Sequence, residues 1–229
     1  MSRFIVLSQQ RSGSHMLMSL LNSHSDIHCN SDSKTVDVKK NGKEWTYEVG
    51  FNSNSKVNGF LLKIKNDLYK DISSEDNVKI IYLKRENFLH VLLSKKMAKL
   101  FGCYEKESLG ISLHNAREAR ESAASINIEE KEAEAFFHTW SRKHRAVKEY
   151  VEKNKLKYLE VKYRDLCSNT CEEMKHIYDF LEVNSIKPSF AEGRGAEKLD
   201  PRDVRSSILN YDQLKEYFKT TAYAKFFEE

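Results

Sequence analysis

The sequence predicts an α/β fold, a central parallel β-sheet flanked by helices in three layers, α/β/α. Three observations carry that expectation. A buried-type strand, a polar turn and an apolar-striped helix follow one another three times, and such alternation packs helices against a parallel sheet. Glycine and proline are sparse, 8 and 2 in 229 residues, which disfavours a turn-dense all-β architecture. No Pro/Gly linker, repeat or low-complexity tract breaks the pattern, so residues 1–229 read as a single domain. A domain of that size buries a core without help from disulfides or metal.

The first repeat begins with the apolar run RFIVLS, 3–8, passes a polar turn holding Gly13, and enters a helix from Ser14 to about Ser23. There Met16, Leu17, Leu20 and Leu21 fall at helical spacing. The second is VKIIYLK, 78–84, then a helix from about Asn87 to Leu100 with Leu89, Leu92, Leu93, Met97 and Leu100 on its apolar side. The third is KYLEVKY, 157–163, then a helix through Met174, Ile177, Phe180 and Leu181. Between the first two, EWTYEVGFNSNSKVNGFLLKI, 44–64, reads as a hairpin or as two strands around a Ser/Asn-rich turn. Its Trp45, Tyr47 and Phe51 alternate as the packed face of a strand would, or as the lining of a pocket. Residues 102–153 read as helical. Ala133, Phe136, Phe137, Trp140, His144, Val147 and Val151 form one stripe, and Asn127 with Glu130 has capping-box spacing.

Bulk charge is close to balance, 38 basic against 34 acidic side chains for a net +4. That excess argues against a nucleic-acid binder and is compatible with a local basic pocket for a small anion. The four cysteines, Cys29, Cys103, Cys167 and Cys171, are scattered. Cys167 and Cys171 share a C-x3-C spacing that no second Cys/His pair completes, so reduced thiols and no metal site are expected. The opening MSRFIVLS has no apolar core of signal-peptide length, and no run of 18 apolar residues follows. The expectation is a soluble cytoplasmic protein without a transmembrane segment.

Chemistry concentrates in the first turn, LSQQRSGSHMLMSLLNSH, 7–24. A turn leading directly from a buried strand into a helix points backbone N–H groups outward at the positive end of the helix dipole. Gly13 lets a ligand approach the backbone, Ser12 and Ser14 add hydroxyls, and Arg11 adds a forked cation; together they suit phosphate or sulfate oxygens. An ordinary strand-to-helix turn with Ser14 as N-cap fits the composition equally well. A kinase-type loop does not fit, because no lysine follows Gly13. Nor does VKIIYLK end in a magnesium-binding Asp; it ends at Lys84-Arg85.

Here the chain resembles the PAPS-dependent sulfotransferases, especially carbohydrate-type and bacterial members with a P-loop-NTPase-like fold. RSGSHML looks like their 5′-phosphosulfate loop. YLKRENFLHVLLSKKMA resembles the strand and helix whose Arg and Ser grip the 3′-phosphate, here Arg85 and Ser94. YLEVKYRDL is similar to the strand end whose Tyr, here Tyr163, lies near the adenine. ILNYDQLKEYFKTTAYAKFF, 208–227, looks like the tails of bacterial members. The resemblance implies in-line transfer of a sulfuryl group from PAPS to a hydroxyl or amine of a carbohydrate or small-molecule acceptor, releasing PAP without a metal.

Carried over position by position, the resemblance puts Arg11 on the bridging oxygen and Ser12, Gly13, Ser14, His15 and Met16 around the 5′-phosphosulfate. HSDIHCNSD, 24–32, resembles H-P-D-I-x-x-x-x-E, which makes Asp32 the base that takes the acceptor's proton, with His28 as fallback. This segment departs from the pattern, with Ser25 for Pro and Asp32 for the longer Glu. SFAEGRGAEKLD, 189–200, stands where the family closes a basic loop over the 3′-phosphate and offers Arg194 and Lys198, without the usual R-K-G. Two alternatives stay open on sequence: a non-catalytic PAP-binding domain and a divergent P-loop nucleotide kinase.

Overall fold

The computed structural model describes residues 2–30, 40–41, 44–45, 55–64, 67–72, 77–100, 125–189 and 203–228. The strands are β1 (Ser2–Ser8), β2 (Ile27–Asn30), β3 (Lys40–Asn41), β4 (Glu44–Trp45), β5 (Val57–Lys63), β6 (Val78–Lys84) and β7 (Tyr158–Lys162). The helices are α1 (Ser14–Leu21), α2 (Phe88–Leu100), α3 (Glu130–Lys153), α4 (Tyr163–Ser168), α5 (Thr170–Leu181), α6 (Val204–Ser207) and α7 (Tyr211–Phe218). Short 3-10 turns lie at Leu68–Asp71 and Ala224–Phe227. Contacts gather the chain into two compact units, Met1–Glu86 with Arg145–Ala196, and Asn87–His144 with Glu197–Glu229.

The first unit holds a five-stranded, all-parallel sheet in the order β2-β5-β1-β6-β7. The expected α/β architecture with a central parallel sheet and flanking helices is present. β1 is the middle strand, with β5 on one side and β6 on the other. From β1 the chain goes through α1 to β2 at one edge, and later strands fill both sides. The turn after β1 therefore lies at a topological switch point, where parallel α/β sheets open a crevice beyond their strand ends.

Of the two readings of residues 44–64, the described residues give two strands, β4 and β5, that do not pair with each other: β4 pairs antiparallel with β3, while β5 is inserted in the parallel sheet between β1 and β2. VNGFLLK is buried on both faces along its first six residues, the environment of an interior parallel strand, and it lacks the alternation that would have distinguished that role. In addition, Ile27–Asn30, within a segment rich in polar residues, forms the edge strand β2. One expectation needs correction: residues 125–129 are not helical. Ile126 makes a parallel bridge to Ile208, so Glu130 is the first helical residue of α3 rather than the third.

One face of the sheet buries Phe4, Val6, Leu61, Ile81, Leu83 and Val161 against Leu17, Leu20 and Leu21 of α1 and Met174, Ile177 and Leu181 of α5. Gly59 belongs to this fit. It stands opposite Phe4 in the β1–β5 register, and a Cβ there would come within 2.5 Å of the Phe4 ring. Phe4 is fully buried and has no room to yield. Gly59→Ala is expected to destabilise the protein by about 1–3 kcal/mol, read as a lower urea midpoint at unchanged slope.

The second unit has its own core. Phe88, Leu89, Leu92 and Met97 of α2, Ala133 and Phe137 of α3, Leu214 and Phe218 of α7, and Phe226 and Phe227 pack together. Asn87 starts α2 properly: its Oδ1 accepts the N–H of Leu89 and of His90, while its Nδ2 donates to the Phe226 carbonyl. Asn210 braces the lead-in to α3 by exchanging two hydrogen bonds with the Ile128 backbone. The C-terminal segment 208–227 thus supports the helix that carries Ser94. The stripe on α3 is largely buried as expected, with Ala133, Phe137, His144, Val147 and Val151 all shielded from solvent.

Candidate functional site

The local conformation between β1 and α1 follows from two left-handed residues. Arg11 has φ 64° and Gly13 φ 88°, and Gly13 is the residue before the first helical turn, the N-cap. The N-cap position supplies no side-chain cap, and no acidic residue stands in the first turn of α1. Ser14 is the first helical residue rather than the cap. Gly13 meets two demands at once. Its φ lies where side chains are strained, and a Cβ would stand 2.3 Å from Cε2 of Tyr163.

The hydroxyls of the turn are already ordered. Ser12 is buried and donates to the Gln9 carbonyl at 2.8 Å, tightening the turn from within. Ser14 Oγ accepts a 2.7 Å hydrogen bond from Lys63 Nζ, which also reaches Ser8 Oγ at 3.3 Å. His15 is exposed and Met16 half-buried on the first turn of α1.

Lys63 escaped the sequence reading. It ends β5 directly opposite Ser8, the last residue of β1, and parallel register therefore delivers its ammonium to the start of α1. No local motif marks it; only the strand order brings positions 49 apart in sequence into contact. On the other side of β1, Arg85 follows β6. Its Nη1 donates to the Arg11 carbonyl at 3.1 Å, and its guanidinium lies 4.7 Å from the centre of the Tyr163 ring. The flanking charges are paired laterally, Lys84 with Glu160 at 3.6 Å and Glu86 with Lys162 at 3.9 Å. Arg85 turns instead to the loop.

Tyr163 is the first residue of α4, immediately after β7. Burial, followed by its hydrogen bond to Cys167 and the nearby Cys167 charge, pushes its phenol up to about 12, with the Arg85 cation opposing. It is a neutral phenol at physiological pH.

His28 lies half-buried on β2, its Nε2 2.9 Å from Asn30 Oδ1. Ser94 is half-buried on α2 in the second unit. Asp32, Arg194 and Lys198 lie outside the described residues, as do Tyr47 and Phe51. Among the described residues no group of three or more His, Cys, Asp or Glu is placed to hold a metal ion, and no helix is long and apolar enough to cross a membrane.

A helix start whose N-cap position supplies no side-chain cap, at the switch point of a parallel sheet and with cations from the two flanking strands against its turn, is the construction of anion-binding α/β proteins. The chain belongs to the sulfotransferase domain family, whose model matches residues 1–215. It is 24% identical over 248 residues to nodulation protein H of Rhizobium tropici, with 98% of this chain and 92% of that protein covered. Among solved structures, a sulfotransferase from Alicyclobacillus acidocaldarius matches at a TM-score of 0.52 and 13% identity, covering 100% of this chain and 94% of that one. This last likeness is one of fold. Family membership makes the protein a sulfotransferase, an enzyme of sulfuryl transfer.

Proposed function

We propose that the protein transfers a sulfuryl group from PAPS to a hydroxyl or amine of a carbohydrate or small-molecule acceptor. The observation that carries this reading is the pair of cations set against the start of α1, Lys63 on Ser14 and Arg85 on the Arg11 carbonyl. A donor with a phosphosulfate suits such a cradle, since fixed cations and N–H groups take up charge as it develops on the leaving phosphate.

In the reaction the bond from sulfur to the bridging phosphate oxygen breaks as the acceptor oxygen or nitrogen bonds to sulfur. The acceptor's proton passes to a base and PAP leaves. Arg11 and Lys63 stabilise the bridging and phosphate oxygens. Backbone N–H groups of residues 12–16, that is Ser12, Gly13, Ser14, His15 and Met16, hold the 5′-phosphosulfate. The Ser12 and Ser14 hydroxyls shape that cradle through Gln9 and Lys63. Arg85 and Ser94 take the 3′-phosphate, joined by Arg194 and Lys198, and Tyr163 lies beside the adenine. Asp32, two positions after the end of β2, is the base. All of this proceeds in one domain, in the cytoplasm, without a metal.

Thermal unfolding with PAP, with ATP plus magnesium, and with neither tests the donor. At 100 times its dissociation constant a ligand adds about 2.7 kcal/mol. PAP is therefore expected to raise Tm by roughly 5–10 °C for a chain of this size. Stabilisation by ATP with magnesium but not by PAP would overturn the proposal.

A further inference from the structure

Two of the five residues in the turn, Arg11 and Gly13, hold left-handed backbone conformations, and for Arg11 that conformation is unfavourable on its own. Something must hold it. Two residues on, the Tyr163 ring is pressed so closely on Gly13 that even a methyl there would collide with Cε2 and Cδ2, at 2.3 and 2.4 Å. The same ring carries the Arg85 guanidinium at 4.7 Å, and that guanidinium in turn binds the Arg11 carbonyl. Tyr163, Arg85, Arg11 and Gly13 therefore form a closed circuit of contacts around the turn. One helical turn beyond Tyr163, Cys167 Sγ meets Met16 Sδ at 3.9 Å, so α4 touches the loop at its N-cap and again in the first turn of α1.

We infer that Tyr163 is a positioning residue for the donor loop, its ring bracing Gly13 and Arg85 so that the turn and its cations are fixed before the donor arrives. This rests on the donor reading above and assigns Tyr163 an action through Arg85 and Gly13, separate from any contact with a base. Preorganised donors cost no reorganisation when charge develops, which is why such a brace serves turnover as well as binding. The bracing surface is the ring, which meets both Gly13 and the Arg85 guanidinium.

The test compares PAP with inorganic pyrophosphate, which occupies a phosphate cradle but has no base. Dissociation constants are measured by calorimetry for the full chain and for Tyr163→Leu and Tyr163→Phe. The brace predicts that Tyr163→Leu weakens pyrophosphate on the order of 10- to 100-fold, as expected for a misplaced cradle, and PAP by at least as much. It also predicts a lower kcat with the acceptor KM unchanged. Tyr163→Phe, which keeps the ring, should recover most of both affinities. Loss of PAP affinity with pyrophosphate binding intact in Tyr163→Leu would show an adenine contact alone and overturn the brace. Should Tyr163→Leu fail to fold, Tyr163→His, with its smaller ring, replaces it under the same criterion. Wild-type protein that binds no PAP sinks the donor reading and the inference with it; wild-type binding unaffected by Tyr163→Leu sinks the brace only.

Discussion

Arg11→Ala is expected to lower kcat by on the order of 100- to 1000-fold, the usual loss when one donor to a developing oxyanion is removed. The backbone at this position has anchors of its own. Its carbonyl is bound by Arg85, and its neighbour Gly13 is pinned under Tyr163. Truncation should therefore leave the turn in place and remove only the forked cation. The consequence is a split between binding and turnover: KM for PAPS rises modestly, while kcat falls by the larger factor, because the charge on the bridging oxygen is greatest in the transition state. Arg11→Lys keeps a charge but loses the planar fork, and an intermediate loss of about tenfold follows. Steady-state kinetics with saturating acceptor measure both. A kcat for Arg11→Ala within about threefold of wild type would remove Arg11 from the chemistry, since loss of a donor to a developing oxyanion costs far more than that.

Much of this arrangement is legible in the sequence because it is local. RFIVLS followed by a glycine-containing polar turn and an apolar helical stripe specifies β1, the turn and α1 within some twenty residues. The stripe from Ala133 to Val151 specifies α3 by periodicity alone. The parts that were not legible depend on strand order. β5 reads as an apolar run of ambiguous partner, and only its insertion between β1 and β2 turns Lys63 from a surface-type lysine into a group beside the helix start. β2 is four residues long in a polar setting, too short for its alternation to stand out. The role of Tyr163 is hidden for a similar reason. A tyrosine at a strand end announces neither the glycine it presses on nor the arginine stacked over it, which belong to two other strand-end connections.

Lys63→Met tests the contact that sequence could not supply, and it too is expected to cost on the order of 100- to 1000-fold in kcat. The ammonium is oriented by two serines, Ser14 Oγ at 2.7 Å and Ser8 Oγ at 3.3 Å, at the mouth of a helix whose N-cap position supplies no side-chain cap. A point charge with three donors in that position adds to the helix dipole where the proposal sets the donor's anionic groups. Methionine keeps the aliphatic length of the stem, so packing at the end of β5 is preserved and the loss reports the charge. Removing the organiser instead, Ser14→Ala, leaves the cation present but less fixed, and a smaller loss of about tenfold is expected. The proposed mechanism sets Lys63 and Arg11 on the same developing charge, so their losses are not expected to be independent. Arg11→Ala combined with Lys63→Met should fall short of the product of the single losses, as grouped catalytic residues do. Full multiplicativity would mean that the two cations act independently; a kcat for Lys63→Met within about threefold of wild type would mean that Lys63 braces two serines and takes no part in stabilising the leaving group.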